Sequence, residues 1–101
     1  MSIRESVKKL IGISHTQLDG EIDRLEKTAR AELVRLGIVE KKVNSQDDSL
    51  VEEAVIDFIC QFMASDEKER ALWSRAWEIT SGNLKNSNGY HTWKLEGEKN
   101  V

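Results

Sequence analysis

Residues Ser49 to Ala64 constrain the fold more than any other stretch of the chain. At helical spacing, Val51, Val55, Phe58 and Phe62 form a main apolar stripe. Leu50 and Ala54 widen it on one side, and Ile59 and Met63 on the other. Ile56 and Cys60 carry it almost all the way round, so that Glu53, Asp57 and Gln61 leave only a narrow polar strip. A helix that is apolar on most sides must be covered on most sides, which makes it the central element of the fold. Its start is marked by Ser49 and Glu52, the spacing of a capping box. Asp47, Asp48, Glu52 and Glu53 gather at the same end, where the helix dipole favours anions.

The rest of the chain supplies helices to cover it. Ser2 and Glu5 form a second capping box, opening a helix over Ile3–Ile11 with Val7, Leu10 and Ile11 as its apolar face and Gly12 at its end. After a connection in which Ser14 or Thr16 is placed to cap, Leu18, Ile22, Leu25, Ala29, Leu33 and Leu36 recur every three or four residues and define a helix closed by Gly37. Residues 38–48 read as a loop, with Ile38 and Val39 folding back on the core. A fourth helix starts at Ser65 or Asp66 and runs to about Thr80 or a few residues beyond, with Gly82 ending or kinking it. Its Leu72, Ala76 and Ile79 are expected to face the core, and Trp73, Trp77 and Thr80 to lie on an adjoining face. Proline is absent, and few runs alternate with the period of a strand. The expected fold is therefore all-α, a small bundle of four main helices over residues 1–84, with an extended tail over residues 85–101 and at most a short strand at Tyr90–Leu95.

Composition narrows the function. One domain is the default for 101 residues. A net charge of -3 argues against a general nucleic-acid binder. The single cysteine, Cys60, precludes an intrachain disulfide and fits a reducing, intracellular setting. No stretch approaches the ~18 apolar residues that span a bilayer, and the N-terminus lacks the apolar core of a signal peptide. Catalytic and metal-binding patterns are missing: there is no CxxC, no HExxH and no Gly-rich phosphate loop. His15 and His91 lie far apart in loop-like contexts and read as solvated side chains. Cys60 reads as a small buried hydrophobe. The acidic group Asp47, Asp48, Glu52, Glu53 and Asp57 reads as dipole compensation and a solvated face. The expectation is a protein that is not an enzyme and uses no cofactor.

The tryptophans are the least routine residues. One tryptophan fills a small core, but Trp73 and Trp77 stand beside a separate aliphatic stripe, and indoles concentrate at the energetic centres of interfaces. Trp73 and Trp77, rimmed by Arg70, Arg75 and Glu78, are the expected subunit interface. Tyr90, Trp93 and Leu95 are the expected anchors of the tail, which orders only against a partner.

Order and spacing together resemble a known family, the small head–tail connector proteins of tailed bacteriophages, often described as DNA-packaging proteins. The resemblance rests on a short opening helix through Val7-Lys8-Lys9-Leu10-Ile11. A helix with Asp19, Ile22, Leu25, Ala29 and Leu33 follows, ending in Leu36-Gly37-Ile38, and then a helix from Asp48 to Phe62. Glu69-Arg70, Glu78 and a polar stretch to Tyr90 complete it. It covers about residues 3–90 and leaves His91 to Val101 without a counterpart. It implies a structural protein of the virion, assembled in the host cytoplasm. That protein forms a dodecameric ring on the portal protein, extends the DNA channel and presents a surface to the next head-completion or tail protein. Its C-terminal segment, with Tyr90, Trp93 and Leu95, reaches toward the portal, and duplex DNA is passing cargo. Two rival readings are a helix-turn-helix regulator, for which the second helix offers Arg24, Lys27, Arg30 and Arg35 among interleaved acids, and a partner-binding adaptor without a phage role.

Overall fold

Side-chain caps open three of the five helices. The computed structural model describes residues 2–45 and 48–87 together with Tyr90. The elements are α1 (Ile3–Ile11), α2 (Asp19–Arg35), α3 (Glu40–Val43), α4 (Ser49–Met63) and α5 (Glu67–Asn86). Among the described residues there is no β-strand, and the all-α expectation holds. The Ser2 hydroxyl accepts the Glu5 amide at 3.2 Å and opens α1. Gly12 closes α1 at φ 77, a left-handed position that glycine occupies without a Cβ penalty. Gly37, at φ 95, turns the chain out of α2 in the same way. Asp66 caps α5 through the Glu69 amide at 2.7 Å.

Four boundaries differ from the sequence reading. The cap of α4 is Asp48, not Ser49: its Oδ1 accepts from the Leu50 and Val51 amides, both at 3.1 Å. The expected loop over residues 38–48 contains α3, a single turn that buries Val43. Helix α5 runs through Gly82 to Asn86, so residues 85 and 86 belong to the helical body and not to a tail. No side chain caps α2 in place of Ser14 or Thr16; Leu18 stands at its N-cap.

Helix α4 is central as expected, packed on α1, α2 and α5. Its Val51, Ala54, Val55, Ile59 and Cys60 have no exposed surface. They meet Val7 of α1, and Ile22, Leu25, Ala29 and Leu33 of α2. Ile38 and Val43 close one end, and Leu84 closes the α5 side. Three stripes are narrower than expected: in α4, Phe62 and Leu50 are more than half exposed. Leu10 of α1 and Leu18 before α2 are exposed, and the buried face of α1 is Ile3 and Val7. Charge ties α1 to α2 on the outside: Lys8 Nζ lies 3.0 Å from Asp19 Oδ1, and Arg4 pairs with Asp23.

Candidate functional site

The α4–α5 hairpin holds the features that the core does not explain. Helix α5 presents Trp73, Trp77, Ser81 and Leu84 along one side at spacings of four, four and three. Ser81 and Leu84 are buried, and Trp73 and Trp77 are half-buried against the core. The Trp77 ring meets Phe58 edge-on, with centroids 5.0 Å apart, and Phe62 leans on Phe58 at the same separation. Between Trp77 and Leu84, Ser81 satisfies its hydroxyl within the helix: its Oγ donates to the Trp77 carbonyl at 2.6 Å.

This exchanges the two faces assigned from sequence. Trp73 and Trp77 pack inward, while Leu72 is 64% and Ile79 55% exposed. The physical reason lies in the length of the helix. With α5 ending near Thr80, Leu72, Ala76 and Ile79 form the better aliphatic stripe. Extended to Asn86, the line of Trp73 and Trp77 gains Leu84, and the larger buried area wins. The signal was available in Leu84, one further turn along the same line.

The outer face of the hairpin is therefore aliphatic. Leu72 and Ile79, seven residues apart, share one side of α5. Ile79 joins Leu50 of α4 across a groove of about 150 Å³, also lined by Glu53, Thr80, Asn83 and Leu84. Leu50 is 51% exposed. Arg75 and Glu78 stand exposed beside Leu72 and Ile79. Arg70, expected at an interface rim, also serves the turn between the helices: its Nε donates to the Ala64 carbonyl at 3.0 Å.

Asp57 lies in the same hairpin and is not on a solvated strip: α5 covers it and leaves it 7% exposed. Thr80 Oγ1 donates to Asp57 Oδ2 at 3.1 Å. Burial pushes the carboxyl up to about 6, opposed by the Thr80 hydrogen bond and reinforced by the charge of Glu53. One turn on, Gln61 Oε1 is buried without a hydrogen-bond partner. Burial, with the nearby charge of Asp57, pushes the Cys60 thiol up to about 12, the condition of an inert thiol. Among the described residues no group of three His, Cys, Asp or Glu side chains is placed to hold a metal.

Tyr90 is held by the subunit itself. Its carbonyl accepts the Val39 amide at 2.6 Å, and its hydroxyl donates to Asp48 Oδ2 at 2.9 Å. Lys42 Nζ lies 5.4 Å from its ring centroid, a cation–π contact. That hydrogen bond raises the Tyr90 phenol. Trp93, Leu95 and His91, together with Asp47, lie outside the described residues.

No family model matches this chain, and neither a curated protein nor a solved structure is significantly similar to it. The three arginines of α2 are engaged locally: Arg24 with Glu21, Arg30 with Glu26 and Arg35 with Glu32. Arg30 also donates to the Val43 carbonyl and so fixes α3. No helix among the described residues is long and apolar enough to cross a membrane.

Proposed function

We propose that the chain is a non-enzymatic assembly protein, a head–tail connector of a tailed bacteriophage that forms a ring on the portal vertex. The single observation that carries an assembly role is the outer face of the α4–α5 hairpin, where Leu50, Leu72 and Ile79 are each more than half exposed. Single exposed aliphatics are ordinary, but several along one hairpin mark a surface that meets another protein. Because a ring contact is head-to-tail, this face meets a different surface of the next subunit. Leu72 and Ile79 take the role expected of Trp73 and Trp77. The connector reading also draws on the ordered helix pattern from Val7 to Tyr90. On that reading the partners are the portal protein, further copies of the chain and the next head-completion or tail protein, with duplex DNA passing through the ring. The net charge of -3 suits a conduit, since basic linings hold phosphates.

The test is ring formation on portal-bearing capsids, scored by electron microscopy. Leu72→Asp with Ile79→Asp is compared with Leu10→Asp, which changes an equally exposed residue on α1. Loss of rings with the hairpin variant alone is the expected result. Rings that persist in a folded hairpin variant refute the face, and failure of the unaltered protein to join capsids refutes the connector role. Salt-sensitive binding to duplex DNA would instead favour a regulator.

A further inference from the structure

The outer face of α5 carries charges that the subunit itself leaves unused. Leu72 is 64% and Ile79 55% exposed, and Arg75 and Glu78 stand exposed on the same side of the helix. The other arginines are engaged within the subunit: Arg4, Arg24, Arg30 and Arg35 in ion pairs, and Arg70 on the Ala64 carbonyl. The side chains of Arg75 and Glu78 have no ion pair or hydrogen bond among the described residues. Their order along the helix, cation before anion, is the weaker one for an intrahelical pair, so both charges stay available. Beside them Ala71 and Ser74 are small and leave a shallow depression bounded by Arg75, Glu78 and Ile79.

The pattern is nearly symmetric about its own centre. The midpoint of Leu72 and Ile79 falls between residues 75 and 76. That of Arg75 and Glu78 falls between residues 76 and 77, about 1.5 Å further along the axis. We propose that this face pairs with the same face of a second copy of the chain, the two α5 helices running antiparallel about a two-fold axis. Leu72 then meets the partner's Ile79, and Ile79 the partner's Leu72. Arg75 comes within reach of the partner's Glu78, and the symmetry repeats that pair. A two-fold contact uses one patch on both subunits, so the patch must be complementary to itself. One cation and one anion between two aliphatics meet that requirement, whereas charges of a single sign would not. One helix face is smaller than a standard interface, so the pair dissociates readily. The pairing concerns the free subunit and does not rest on the connector reading. Under that reading it withholds the assembly face until a ring contact displaces the partner.

The experiment is analytical sedimentation of the full chain over a range of concentrations, with circular dichroism to show that each variant is folded. The unaltered protein should rise from the mass of one chain to that of two and stop there. Arg75→Glu and Glu78→Arg each set like charges together at two places and should weaken pairing about tenfold. The double variant, Arg75→Glu with Glu78→Arg, restores opposite charges across the two-fold axis and should pair as the parent does. A mixture of the two single variants should pair with each other more tightly than either does with itself. A protein that stays at the mass of one chain overturns the proposal, as does a mass that climbs beyond two chains. Arg75→Glu pairing as tightly as the parent refutes the interface. Single variants that are rescued neither by the double change nor by mixing refute the two-fold arrangement and point to a head-to-tail contact. The capsid assay scores the connector role separately, so either result can fail without the other.

Discussion

Replacing Asp57 by Asn removes one charge from the seam between α4 and α5 and keeps the shape of the side chain. The carboxyl is 7% exposed, and its one hydrogen bond among those described comes from Thr80. Its ordinary value of 3.8 is raised to about 6 in the folded protein, a gap equivalent to about 3 kcal/mol. The native state thus holds the proton more tightly than the unfolded chain does. Between these two values the folded protein binds more protons, so stability falls as pH rises through this window. Below it the penalty is absent, and above it the penalty is complete. The asparagine carries no such penalty, accepts from Thr80 and brings an amide N–H toward the side of the helix where Gln61 Oε1 lacks a partner. We expect Asp57→Asn to be more stable than the parent by about 1–3 kcal/mol above pH ~7 and to lose that advantage below pH ~4. Urea melts of both proteins across this range measure it. The difference between the two curves cancels the exposed carboxylates Glu21 and Glu32, which Arg24 and Arg35 hold below their ordinary values. An advantage that does not change with pH, or a variant less stable than its parent near neutrality, would refute the buried-charge argument.

Other substitutions test the packing and the caps. Phe58→Ala removes the ring that meets both Trp77 and Phe62 and should cost about 3–5 kcal/mol in denaturant melts. Gly82→Ala adds a methyl group inside α5 where nothing lies within 4 Å, and a rise of about 0.5–1 kcal/mol is expected from the same melts. Tyr90→Phe deletes the hydroxyl bound to Asp48 and should lower stability by about 1 kcal/mol, seen as a small fall in the thermal midpoint.

The helical bundle was legible in the sequence wherever periodicity and caps agreed. The ends of α1, marked by Ser2 and Gly12, and the central place of α4 both follow from local chemistry. The errors have tertiary causes. The α3 segment, Glu40-Lys41-Lys42-Val43, has no stripe of its own. It forms because Val43 is buried in the core and Arg30 of α2 holds its last carbonyl. Gly82 looked like a stop, but packing of Ser81 and Leu84 on either side carries the helix through it. That extra turn decided which face of α5 turned inward, and with it the candidate surface. Asp57 looked solvated because one helix viewed alone shows a polar strip, whereas the covering helix arrives ten residues later at Glu67. The engagement of Tyr90 by Asp48 joins residues 42 apart and has no local pattern to announce it.

Asp48 divides its carboxylate between two tasks, one oxygen at the head of α4 and the other on the Tyr90 hydroxyl. The first turn of the central helix and the segment that follows α5 therefore form one cooperative opening unit. Release of Tyr90 loosens the carboxylate that secures the Leu50 and Val51 amides, and fraying of that turn in turn frees Tyr90. Hydrogen exchange at Leu50 and Val51 should accordingly quicken together when Tyr90 is replaced, while amides deep in α4, such as that of Ile59, keep their protection. The central helix is anchored at its start by a residue that arrives only after the last helix has been made.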